Sequence, residues 1–311
     1  MPSCNPIVRF GAKRHLPFRF GPEFVNSLQE INPIEKMTHQ LNEYEAKQFS
    51  AIRAWKTEEP SVISKSLGTV FAPVSWLVQK LIPEKAIRSA IFAAVKAADK
   101  LTDSSDIKRD GNVCEIRELF QKDLAFLDTL SDTVHNWAIG VATTGGIAAG
   151  LGGAVTLAAD VPATITLALR TIHKIGLCYG YEPKTNDDRL FILAVLAISS
   201  ANSIGDKLIA LNTLSAVGAA SNKPSAPWLY DTNESIPEIP ITKKDTDIAI
   251  DHLSKAIGLN LTKRKMLQLI PAVGSVVGGS VNGWYLKDVG WSARRAYQGR
   301  WLSDKYSGLK I

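Results

Sequence analysis

At 311 residues, with 45% hydrophobic and 21% charged side chains, the chain can bury a substantial core, and its composition excludes both a disordered polypeptide and a polytopic membrane protein. A net charge of +6 favours anionic partners, phospholipid headgroups or nucleic acid among them. Three cysteines without CxxC spacing, Cys4, Cys114 and Cys178, suit a reducing cytoplasm and argue against a disulfide framework.

Residues 1–38 mix prolines, basic residues and aromatics without periodicity or the apolar run of a signal peptide. They read as an irregular extension ahead of a single domain over 39–311. Helical periodicity begins with "LNEYEAKQFSAIRAWK", where Leu41, Tyr44, Phe49, Ile52 and Trp55 make one apolar face. Pro60, Pro73 and Pro83 break the next stretch into short helices, and "PEKAIRSAIFAAVKAADKL" is amphipathic. "EIRELFQKDLAFLDTLSDTVHNWAIG" reads as one further amphipathic helix, with Leu119, Leu124, Leu127 and Leu130 at apolar positions. In "DVPATITLALRTIHKIGLCYG", Asp160 is the predicted N-cap, Pro162 a first-turn residue and Gly180 the stop. "NDDRLFILAVLAISSANSIG" opens on Asn186 as its cap. A four-proline loop over about 220–243 precedes helices over 244–257 and 261–286, and "KDVGWSARRAYQGRWLSDKY" forms a basic aromatic closing helix. No strand alternation is present, so the fold class is all-α: one multi-helix domain with close-packed Gly/Ala-rich helices.

The stretch 137–159, "WAIGVATTGGIAAGLGGAVTLAA", holds six glycines and seven alanines and no charge. A Walker A loop needs a lysine that is absent here, and the GxGxxG pattern lacks its third glycine. As a membrane span it is long enough. Its strong inserters, Ile139, Val141, Ile147, Leu151, Val155 and Leu157, contribute only roughly −2 to −3.5 kcal/mol, and a central Asp160 would cost about 2.5 to 3.5. Gly146, Gly150, Ala154 and Ala158 recur every fourth residue, a ridge that lets another helix approach closely. The expected partner is 266–286, "MLQLIPAVGSVVGGSVNGWYL", also uncharged, with Lys263, Arg264 and Lys265 before it and Trp284 at its far end. Close packing is the preferred reading, with shallow or conditional insertion as its rival.

No HExxH, GxSxG or paired His-Cys spacing is present, and no cofactor fingerprint either, so no cofactor is expected. Asp128, Asp132 and His135 share a helical face, which usually means a local ion pair. Arg170 and His173 within an apolar helix are a candidate anion or headgroup site, and with His135 and Asp160 they complete the candidate ligand residues. Cys178 reads as core, since no activating base is identifiable. Trp291, Arg294, Arg295, Arg300 and Trp301 interleave charge and aromatics. No nucleic-acid motif frames them, so they are read, with Trp284 and Lys263–Lys265, as an anionic-membrane surface.

The blocks "EYEAKQFSAIRAWK", "APVSWLVQKLIP", "VHNWAIG", "DVPATITLALRTIHKIGLCYGY" and "TKRKMLQLIPAVGSVVGGSVNGWYLKDV", in this order, resemble the EcsC protein family over roughly residues 40–305. That resemblance implies a bacterial, cytoplasmic or membrane-associated helical protein. It also suggests linkage to an ABC transporter, since the family's namesake is encoded beside one. The family's recurring positions stand here as His135, Asn136, Trp137, Asp160, Pro162, Arg170, His173 and Gly180. No reaction is established for it, so no catalytic residues carry over. The expected function is non-enzymatic, a lipid-binding or transporter-linked module peripheral at the inner face of the cell membrane, with anionic phospholipid as the partner. Two alternatives stand beside it: a lipid-directed or metal-assisted hydrolase around His135, Asp160 and His173, and a protein-interaction module.

Overall fold

The helix that closes the chain turns out to be the one around which the others assemble. A computed structural model describes residues 40–60, 103–150, 153–220 and 271–306, with 89, 91, 93, 253–258 and 260. The expected extension (1–38), the short helices over 61–88, the proline-rich loop and Lys263, Arg264 and Lys265 lie outside the described residues. The described elements are α1 (Glu43–Thr57), α2 (Ser105–Gly111), a 3-10 turn (Ile116–Gln121), α3 (Leu124–Gly150), α4 (Gly153–Cys178), α5 (Asn186–Ser200), α6 (Ile204–Ala220) and α7 (Pro271–Tyr306). The fold is all-α, and among the described residues there is no strand.

α1 starts at a capping box: Asn42 Oδ1 accepts from Glu45 N–H at 2.9 Å while the Glu45 carboxylate accepts from Asn42 N–H at 3.0 Å. Its predicted apolar residues Phe49, Ile52 and Trp55 are buried. Glu45 also binds Lys305 (3.0 Å) and the Tyr306 hydroxyl (2.6 Å), tying the start of α1 to the end of α7.

Five expectations about boundaries change. The segment 115–140 is not one helix, because Ile116–Gln121 is a 3-10 turn. Spacing of three buries Ile116 and Leu119 together, and the Phe120 carbonyl is taken by Trp301 Nε1–H at 3.1 Å instead of a helical partner. The Gly/Ala run is not one ridge. It ends α3 at Gly150 and begins α4 at Gly153. Asp160 is consequently no N-cap: it lies inside α4, and Pro162 is a proline in a helix interior. Thr185, not Asn186, caps α5, with Asp188 completing its capping box. Finally, the helices expected at 261–286 and 287–306 are joined, since α7 runs unbroken from Pro271 through 36 residues. The Gly180 stop holds. With φ of 87°, it allows Tyr181 N–H to reach Gly176 O and its own N–H to reach Leu177 O, both at 3.0 Å, closing a Schellman motif.

α7 packs on α1, α3, α4 and α5. It runs antiparallel to α3. Asp128 meets Gln298, His135 meets Gly290, and Thr143 meets Gly283. A Cβ on Gly283 would stand 2.3 Å from Thr143 Oγ1. The two uncharged stretches thus touch at Thr143 of α3 and Gly283 of α7, while the expected ridge of Gly146, Gly150, Ala154 and Ala158 lies among residues whose packing is outside the described side chains. α3 and α4 are also antiparallel, as Tyr179 sits on Asp128 and Arg170 on Trp137.

Candidate functional site

The polar residues that α7 carries are used inward. Trp301 is 0% exposed. Arg300 pairs with Asp188 at 3.0 Å and lies 4.4 Å from the Tyr181 ring centre. Arg294 binds Asp128 (3.1 Å) and Asp132 (2.5 Å). Arg294, Arg300 and Trp301 were expected on a membrane-facing surface and instead lie in or at the core. A 36-residue helix surrounded by neighbours buries most of its circumference, so it keeps charges only by pairing them.

Asp128 is the hub of that pairing. Its buried carboxylate accepts from Tyr44 (2.6 Å), Tyr179 (2.5 Å), Gln298 (2.8 Å) and Arg294. Burial, reinforced by this hydrogen bond, pushes the Tyr44 hydroxyl up to about 12, and burial and the Asp128 charge raise Tyr179 as well. Every one of these contacts is internal, and the cluster ties α1, α3, α4 and α7 together.

His135 turns toward α7. Its Nε2 lies 3.1 Å from the Lys287 carbonyl, which can only accept, so Nε2 carries the hydrogen. The ring stands edge-on to Trp291 at 5.9 Å, and burial holds its pKa below the usual histidine value. His173 is buried on α4. Asp160 lies thirteen residues earlier on the same helix, about 20 Å away at 1.5 Å per residue, beyond side-chain reach. His135, Asp160 and His173 do not converge, and the hydrolase built on them is dropped. Cys178 is fully buried, and burial drives its thiol pKa upward, against a nucleophile.

Two other features are open. The first is a belt. Trp137 is 49% exposed and Trp291 39%. Arg170 lies 5.4 Å over the Trp137 ring. Exposed Lys287 stands at the same level, because His135 touches both Lys287 and Trp291. On one side of this belt the helices carry almost no charge: 138–150 of α3, 153–169 of α4 with Asp160 alone, and 271–286 of α7. The antiparallel registers bring all three to the same end of the bundle. Among the described residues, no helix is long and apolar enough to cross a membrane.

The second feature is a cavity of about 700 Å³ between the end of α1, the start of α6 and the middle of α7. Trp55, Trp284, Trp291, Lys207 and Arg295 line it, with Glu58, Glu59 and Asp288. Lys207 is 5% exposed, and burial pulls its amine down to about 8. Its Nζ donates to the main-chain oxygens of Trp55 and, at 2.8 Å, Glu58. No spacing in "IGDKLIALNTL" marks Lys207 as a site residue, and only the crossing of α6 with the end of α1 brings it inward.

Compared with known proteins, the chain matches the sequence profile of the EcsC protein family over residues 46–302. It is 25% identical to uncharacterized protein YdbA of Bacillus subtilis (strain 168) over 190 residues, 61% of this chain and 63% of that protein. It is 24% identical to protein EcsC of the same organism over 165 residues, 53% of this chain and 59% of that protein. The match thus spans about three-fifths of each relative's length. No solved structure matches the chain.

Proposed function

The chain belongs to the EcsC protein family, and from that premise we propose a non-enzymatic, lipid-binding helical protein that sits peripherally on the inner face of the cell membrane. One observation carries this reading: the end of the bundle whose α3, α4 and α7 segments carry Asp160 as their one charge, bounded by the belt of Trp137, Arg170, Lys287 and Trp291. From Trp137 to Gly150 is thirteen residues, about 20 Å of helix. That length reaches through one leaflet of a hydrocarbon core ~30 Å thick and does not span both. Tryptophan beside lysine or arginine suits the headgroup level, where the indole is half in the apolar phase and the cation meets phosphate. Arg170 pairs with no carboxylate among the described residues, which leaves its charge for a lipid phosphate. The net charge of +6 adds attraction to an anionic leaflet.

Flotation with phosphatidylcholine vesicles, with and without phosphatidylglycerol, tests the reading. The protein is expected to float with the anionic vesicles, and Trp137→Ala with Arg170→Gln to cut the floated fraction at least threefold. Asp160→Asn, which removes the one charge those three helix segments carry, is expected to raise it. Absence of flotation on either vesicle overturns the lipid reading. A membrane transporter docking at this same end is the companion form, and it predicts recovery with native membranes but not with protein-free vesicles.

A further inference from the structure

Asp160 is the one charged residue on the three helix segments that make the apolar end of the bundle, and the helix registers give its level there. Tyr179 of α4 meets Asp128 of α3, and Arg170 meets Trp137. Continuing along both helices sets Asp160 level with Ile147. Across α3 and α7, Asp128 meets Gln298 and Thr143 meets Gly283, which brings Gly279 to the same level. Arg170 of the belt stands ten residues further along α4, about 15 Å away. With the belt at the headgroups, Asp160 would lie near the middle of a hydrocarbon core ~30 Å thick. A carboxylate is most costly at that depth, whereas the protonated acid is only a small polar group.

The elements packed on α4 keep their charged groups at the belt or beyond it. The nearest on α4 itself are Arg170, His173 and Lys174. α3 brings His135 and Asp132, and α7 brings Lys287 and Asp288. On the apolar side of the belt α7 adds only the Tyr285 hydroxyl, bonded to Ser200 at 2.9 Å. α5 carries Asp187, Asp188 and Arg189, held at the far end by the pair of Asp188 with Arg300. α2 and the 3-10 turn meet α4 farther away still, through Asp106 on Lys174 and Phe120 against Gly180. Among these described elements, no second charge shares the level of Asp160.

We propose that Asp160 is a proton-operated gate on membrane insertion: ionised, it holds the apolar end shallow at the leaflet surface, and protonated, it lets that end sink to the belt. The gate rests on the membrane reading above. A carboxyl group moved into an apolar medium holds its proton more tightly than the ordinary aspartate, whose pKa is about 3.9. The inserted state then binds one proton more than the free protein. Membrane affinity therefore rises as the pH falls, by up to about tenfold per pH unit.

The test floats the full chain with phosphatidylcholine–phosphatidylglycerol vesicles from pH 7.5 to 5, in low salt and in about 0.5 M sodium chloride. The higher salt screens headgroup attraction and leaves inserted protein bound. The salt-resistant partition coefficient of the wild type is expected to rise at least tenfold across this range. Asp160→Asn should bind at pH 7.5 as tightly as the wild type at pH 5, with less than a twofold change between them. Asp160→Ala serves if that variant does not fold. His135→Gln, which removes the titratable group at the belt, should keep the full rise. A rise that Asp160→Asn retains, or that His135→Gln abolishes, overturns the gate. Wild-type flotation that ignores pH overturns the gate and leaves the membrane reading standing, whereas no flotation at any pH in low salt overturns both.

Discussion

His135 of α3 fits against Gly290 of α7. A Cβ on Gly290 would stand 2.0–2.5 Å from three imidazole atoms, so the histidine fills the space that the glycine leaves. Burial keeps the ring neutral and lowers its pKa below the ordinary value. The folded state then binds fewer protons than the unfolded chain. The stability His135 contributes is complete above about pH 6.5, the unfolded value, and is lost as the pH falls below it. Denaturant midpoints measured from pH 8 to 5 should decline on the acid side, and His135→Gln should flatten that decline. An unchanged slope in the variant would assign the pH dependence to other groups.

Among elements, the α3–α7 contact depends on one missing methyl. Thr143 Oγ1 is bonded to Ile139 O at 2.8 Å, and it occupies the place a Gly283 side chain would need. Gly283→Ala is expected to destabilise by about 1–3 kcal/mol through overpacking. Adding Thr143→Ala should recover most of that loss, because the new Cβ would then be in ordinary contact. A double-mutant cycle read by urea denaturation measures the coupling, and strict additivity would show that the two residues do not meet. The same contact explains how far the sequence could be read. Gly283, spaced four residues from Gly279 in an uncharged stretch, was legible as a place where another helix could come close, since that information is periodic and local, but Thr143 as its partner was not. That the run is shared between two antiparallel helices, α3 and α4, was not legible, as glycine permits both a helix and its end. Lys207 was not legible either, because its environment comes from α1, about 150 positions earlier in the chain.

At the scale of the whole molecule, Asp128 joins four helices through one carboxylate. Removing it would leave Arg294 short of a partner and Tyr44, Tyr179 and Gln298 without an acceptor. Asp128→Ala should therefore cost about 3–5 kcal/mol, seen as a lower urea midpoint with an unchanged denaturant slope. A loss below 1 kcal/mol would mean that the network is not a structural tie.

What the amino-acid sequence determined by itself was the class of the molecule and the materials of its surfaces. Helical periodicity and the Gly180 stop are short-range signals, and they made an all-α domain readable without coordinates. The charge-free stretches at 137–159 and 266–286 were equally plain. Only the tertiary structure decided which aromatic and basic residues face outward. Trp301, Arg294 and Arg300 are drawn inward because their helix is wrapped on several sides, whereas Trp137, Trp291 and Lys287 remain at the rim. Burial is set by neighbours distant in sequence. For that reason the same Trp-and-Arg composition in α7 makes part of a core at one end and a boundary belt at the other.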